Sequence, residues 1–172
     1  MGTPVTETDA GGDAAHAFPL VAADYVRRTT WPSFAWRTES APSPRHVLRT
    51  SLDRARVALV GTAGAYVPGQ DRFSLGDAGD HSYREIPAGA SRLRFSHPGF
   101  DTRLAYRDPD VAYPLALLRE LEREGRIGSL SPRAFSFMGY IPEPGPLVEG
   151  TGPEVAKALV ADGVDLVLLV PV

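Results

Sequence analysis

Residues Ala55–Gly64 read ARVALVGTAG, and this stretch decides the fold. Val57 to Val60 are apolar without alternation, the pattern of a strand covered on both faces. Gly61, Thr62, Ala63 and Gly64 close it with small residues, as in the turn out of a strand in a βα unit. Strands of this kind pair in parallel, and parallel pairs need helical crossovers, so helices and strands should alternate downstream. They do. SRLRFSHPG sets Leu93, Phe95 and His97 against polar neighbours, which predicts a half-exposed strand. YPLALLRELEREGRIGSL predicts a helix with Leu115, Leu118 and Leu121 on one face and Gly125 as its stop. SPRAFSFMGYIPEP is aromatic and returns to the sheet. TGPEVAKALVADGVDLVLLVPV predicts a helix with Pro153 in its first turn, a stop at Gly163 and a final strand. The expected fold class is α/β, in three layers around a mainly parallel sheet, with ARVALV and VDLVLLV both as central strands. The last strand lacks a following helix to cover it, so C-terminal elements of the fold are expected to be missing.

Residues 1–50 read as a flexible N-terminus and an irregular arm, and residues 51–172 as the α/β domain. Within the arm, FPLVAADYVRRTT suggests a short helix with Leu20, Tyr25 and Val26 on one side, and Trp31, Phe34 and Trp36 are apolar anchors. The segment VPGQDRFSLGDAGDHSYREIP is rich in Gly and Asp and reads as a polar loop.

The chain of 172 residues is long enough for one domain with a substantial core, and its net charge of -3 is spread over interspersed signs. That balance gives no reason to expect binding to nucleic acid or to an anionic membrane. There is no cysteine, which excludes disulfides, thiolate metal sites and a thiol nucleophile within these residues. The N-terminus has no basic segment followed by a long apolar core, and no apolar run approaches membrane-spanning length, so a cytoplasmic location is the default expectation.

Four segments carry residues suited to chemistry. The loop GTAGAYVPGQ offers Thr62, Ala63, Gly64 and Tyr66 for close approach to a small ligand. It is neither GxGxxG nor a P-loop, since no Lys-Ser/Thr follows, and a plain tight turn after a strand accounts for it equally. In GDHSYREIP, Arg84 suits bidentate binding of a substrate carboxylate and His81 suits acid–base work, or the segment is simply an exposed polar loop. FSHPGFDT adds His97 and Asp101, an acid–base or metal pair; no HxH or HExxH spacing accompanies them, so no metal site is assigned. In SFMGYIP the turn Met138, Gly139 and Tyr140 lines a pocket or belongs to the core. Ser96 and Ser136 lack the setting of a nucleophile elbow.

Taken in order, RVALVGTAGAYVPGQDRF, GDHSYREIP, LRFSHPGFDT, RDPDVAYPLALLRELEREGRIGSLSPRAFSFMGYIP and DGVDLVLLVPV resemble the glycine/sarcosine/betaine reductase selenoprotein B family, which includes the related D-proline reductase subunit. The resemblance runs from about Arg56 to the last residue. It implies reductive cleavage of a C–N bond α to a carboxylate, with a small amino acid or amine as substrate. A selenolate, or a cysteine thiolate in some relatives, attacks the α-carbon, and a partner subunit carrying a pyruvoyl group activates the amine. It also implies that Thr62 to Tyr66, His81, Arg84, His97, Asp101 and Met138 to Tyr140 lie near one site. Arg84 would clamp a carboxylate, and His81 or His97 would move protons or sit near the selenolate. In the family the reactive selenocysteine or cysteine follows just after the strand matching VDLVLLVPV. A selenocysteine codon read as a stop is therefore expected after Val172. The alternative is a nucleophile-less paralogue that binds a small carboxylate or a partner subunit. No cofactor is expected within this chain itself, and oligomerisation stays open.

Overall fold

The computed structural model describes residues 46–172. The short helix expected around Leu20 and Tyr25 and the anchors Trp31, Phe34 and Trp36 lie outside the described residues. β1 (Arg56–Gly61) runs through the middle of a five-stranded sheet. On one edge it pairs in parallel with β5 (Ser129–Leu130) and then β6 (Arg133–Ser136). On its other edge it pairs in parallel with β7 (Leu166–Val170), from Val57 to Gly61. β3 (Arg84–Pro87) lies antiparallel on the far side of β6. A two-stranded antiparallel ribbon joins β2 (Ala65–Tyr66) to β4 (Arg94–Phe95).

Both faces of β1 are covered, as its apolar run requires. Val57, Leu59 and Ala134 share one cluster with Tyr113, Ile127 and the helix α2 (Leu115–Arg123), which contributes Leu115 and Leu118. Leu121 packs at its margin, so the expected helix face is the observed one. Val60, Phe135 and Phe137 form a second cluster with Val155, Ala158 and Leu159 of α3 (Gly152–Ala161). The two clusters on alternate side chains of β1 make the three-layer α/β architecture. A shorter helix, α1 (Thr102–Arg107), follows β4. Gly125 and Gly163, both with positive φ, follow α2 and α3 as the stop positions read from sequence, and Pro153 sits in the first turn of α3.

Two expectations need correction. Among the described residues β7 pairs on one side only, so β1 is a central strand and β7 is not. Leu169 is 70% exposed and Leu166 and Leu168 are each 39% exposed, so an apolar run here does not mean burial. The second correction concerns GDHSYREIP, which is a loop only as far as Tyr83. Arg84–Pro87 is a strand in which Ile86 alone is buried, too little apolar pattern to announce itself.

Beneath the C-terminal end of β1 lies Tyr113. It is fully buried and its hydroxyl donates to the Phe135 carbonyl at 3.0 Å. Burial pushes its phenol well above the usual range, so it stays protonated and serves as a fixed donor in the floor of the sheet edge.

Candidate functional site

One row of paired residues marks the edge where the parallel strands end. Gly61 on β1 is in register with Ser136 on β6 and Val170 on β7, and Ser136 with Arg84 on β3. Ligands of open α/β sheets bind just beyond such a row. There the chain turns through Thr62 to Gly64. The Thr62 N–H donates to the Val170 carbonyl at 3.1 Å, and the Thr62 hydroxyl oxygen accepts the Val172 N–H at 2.8 Å. Ala63 is buried and bridges to Met138, also buried. The Gly64 N–H donates to the Phe137 carbonyl at 2.8 Å, and the Ser96 N–H donates to the Gly64 carbonyl at 2.9 Å. Gly64 has φ +64, and a Cβ there would run into the Ser96 carbonyl. Only glycine satisfies both conditions, and its close approach sets the position of Ser96 and hence of His97.

His97 is held from several sides. Its Nδ1 accepts the Gly99 N–H at 2.9 Å, and its ring centre lies 4.9 Å from that of Phe100. A Cβ on Gly139 would sit 2.6 Å from His97 Nε2, 2.7 Å from the Val172 carbonyl oxygen and 3.3 Å from the Thr62 carbonyl oxygen. Those three atoms therefore meet over the face of Gly139, and Nε2 is buried there without a hydrogen-bond partner among the described residues. Burial lowers the His97 pKa below the ordinary 6.5, and the Val172 main-chain oxygen facing the ring opposes that shift.

The direction of this shift makes a pH prediction. The folded pKa is depressed, so the unfolded chain takes up the proton first as pH falls. Stability from this group is fully present above pH 6.5 and is lost as pH drops below that value. Between about pH 7 and pH 5.5 the melting temperature of the native chain should fall more steeply than that of His97→Gln. Equal slopes would contradict the depressed pKa.

The other residues singled out from sequence are differently engaged. His81 is exposed, and its carbonyl accepts from the Thr151 hydroxyl at 2.7 Å. The Arg84 guanidinium donates to the carbonyls of Asp71 at 2.8 Å, Tyr83 at 3.0 Å and Arg72 at 3.2 Å, and to the Ser82 hydroxyl at 2.8 Å. It also stacks 4.2 Å above the Phe73 ring. These contacts fasten the loop before β3 and give no support to a carboxylate clamp. Asp80 pins the same loop: burial opposes its charge, but hydrogen bonds from Ser82 and Ser74 and the Arg84 charge hold its pKa below the usual carboxylate value. Asp101 does not pair with His97; it caps α1 through the Arg103 N–H at 3.0 Å and binds the Arg103 guanidinium at 2.8 Å. Tyr66 is buried in the β2–β4 ribbon, and Tyr140 is 41% exposed. The structure thus brings together Thr62, Ala63, Gly64, His97, Met138 and Gly139. Sequence reasoning missed Val172 as part of this group, because its contact with Thr62 depends on the parallel register of β7 on β1.

An apolar groove of about 390 Å³ opens beside Thr62 on the α3 side, lined by Val60, Leu147, Val155, Leu159 and Leu169. No group of three acidic or histidine side chains among the described residues could hold a metal, and no helix among them is long and apolar enough to cross a membrane.

Residues 40–172 match the family model of glycine/sarcosine/betaine reductase selenoprotein B. The chain belongs to this family. Among its relatives is the D-proline reductase subunit gamma of Acetoanaerobium sticklandii, 41% identical over 115 residues, which are 66% of this chain and 47% of that protein. The sarcosine reductase complex component B subunit beta of Peptoclostridium acidaminophilum is 32% identical over 69% of this chain and 28% of its own length. The glycine reductase complex component B subunit gamma of Carboxydothermus hydrogenoformans is 34% identical over the same shares, 69% and 28%. The chain therefore spans about half of the first relative and little more than a quarter of the other two. No solved structure matches it.

Proposed function

We propose that this chain is the substrate-binding half of a reductase component that cleaves the C–N bond of a small amino acid or amine α to its carboxylate. It acts in a cytoplasmic complex with a partner subunit that carries a pyruvoyl group. The observation that supports this most is the convergence of Thr62, His97 and Gly139 at the ends of β1 and β7, in a chain whose relatives are named as reductase components. A selenolate or thiolate from outside these 172 residues, which contain no cysteine, supplies the nucleophile that attacks the α-carbon. The chain's own part is to hold substrate. The His97 Nε2–H presents a donor, the Thr62 hydroxyl ties down the backbone at Val172, and buried Met138 and Tyr113 keep water from the floor.

The absence of cysteine favours a second reading, a non-catalytic relative that binds a small carboxylate or a partner subunit. The codon after Val172 discriminates between the two. The reductase reading expects an in-frame UGA followed by a continuing frame and a selenocysteine insertion element. A UAA or UAG with no downstream frame supports the binding protein instead.

A further inference from the structure

Among the described residues one edge of β7 has no neighbouring strand. The Val170 carbonyl accepts the Thr62 N–H at 3.1 Å, so Val170 serves the β1 side. Successive residues of a strand turn their N–H and C=O to opposite edges. Val167 and Leu169 therefore carry the open edge, each with one donor and one acceptor. Leu166 to Val172 hold no charged side chain. The acids just before them are engaged inward: Asp165 accepts the Arg56 N–H at 2.9 Å, and Asp162 binds the Arg133 guanidinium at 2.7 Å. Folded chains commonly block such an edge with a charge or a bulge, and nothing from Leu166 to Val170 does so. Both faces of the strand are apolar as well. Pairing with β1 sets Leu166 and Leu168 on the face of Val57 and Leu59, and Leu169 on the face of Val60, and all three leucines are exposed.

We propose that the open edge of β7 is a dimer interface, taken by β7 of a second copy in antiparallel register about a two-fold axis at Leu168. In that register Val167 of one copy faces Leu169 of the other, and each such pair exchanges both main-chain hydrogen bonds. Every outward N–H and C=O of Val167 and Leu169 is then satisfied. Leu168 meets its own counterpart as a non-hydrogen-bonded pair, and Leu166 meets Val170. The axis stands perpendicular to the sheet, so exposed leucines meet apolar side chains of the same face and leave water together. The neighbouring registers fail. An axis at Val167 sets Leu169 against Asp165, whose N–H already donates to the Arg56 carbonyl. An axis at Leu169 sets Val167 against Pro171, which has no N–H to give. The edge is thus its own complement, which is why a second copy is the occupant. This interface stands apart from the reductase reading and needs no turnover to be seen.

The test uses the 172-residue chain. Sedimentation equilibrium at about 100 μM should give twice its 18.5 kDa. Leu169→Lys puts a strongly hydrated charge on the edge and should weaken association about tenfold or more. Leu117→Lys, at an exposed apolar position on α2, should leave it unchanged. The chain contains no cysteine, so Leu168→Cys carries a single thiol. Under oxidised glutathione it should form a covalent dimer, because two such residues across the axis have Cα atoms about 4.5 Å apart, within disulfide reach. Leu117→Cys should cross-link far more slowly. A monomer at about 100 μM would overturn the proposal and leave the edge to a different chain. So would a Leu169→Lys chain that dimerises as tightly as the native one, or a Leu168→Cys chain that cross-links no faster than Leu117→Cys.

Discussion

Gly64→Ala is expected to destabilise the chain by about 3 kcal/mol or more. Two costs add at this residue. Its φ of +64 lies in the left-handed region, where a Cβ costs roughly 1–2 kcal/mol. The Cβ would also meet the Ser96 carbonyl, which is main chain and cannot swing aside. Relieving that contact means parting the Ser96–Gly64 hydrogen bond or the Gly64–Phe137 one, both of which link loop segments around the site. Gly125→Ala is the matched control. Its φ is +68, yet a Cβ there meets nothing within 4 Å, so only the backbone cost of roughly 1–2 kcal/mol remains. Urea unfolding with an unchanged slope should show the difference in midpoint. Equal losses at the two glycines would mean that the Ser96 contact carries no energy.

The parts of this fold legible in the sequence are those fixed by local pattern. β1, α2 and α3 follow from unbroken apolar runs and helical spacing, and Gly125 and Gly163 stop the helices where expected. What pattern cannot supply is the neighbour. VDLVLLV has the composition of a strand buried on both sides, but burial depends on what packs beside it, and Leu169 stands exposed. β3 escaped notice because only Ile86 of its four residues points into the core, and its place is set by antiparallel pairing to β6, far along the chain. The site shows the same division. Thr62, Gly64, His97 and Gly139 were legible as small or basic residues at strand ends. Arg84 and Asp101 looked equally suited to chemistry, yet both found partners close in sequence. The Ser82 hydroxyl and the Tyr83 carbonyl engage Arg84, and Arg103, two residues on, engages Asp101. A charged residue with a competing local partner is a weaker site candidate than its chemistry suggests.

The 172 residues alone are expected to cleave no C–N bond in glycine, sarcosine, betaine or D-proline, with or without a dithiol. Reductive cleavage delivers two electrons to the carbon–nitrogen bond, and the step needs a nucleophile that a reductant can regenerate. A chain without cysteine has no such side chain. A cysteine or selenocysteine added directly after Val172 continues the chain beside Thr62 and His97, at the sheet edge where the strands end. With the proposed pyruvoyl-bearing partner subunit and a dithiol present, that extended chain should exceed the unextended one by about a thousandfold or more, the scale on which enzymes lose rate when their nucleophile is removed. The decisive measurement is the rate of amine release, or of ring opening for D-proline, by the two chains side by side in the reconstituted complex. The account predicts turnover from the extended chain and none above background from the unextended one. Steady turnover by the unextended chain, or silence from both on all four substrates, would contradict it.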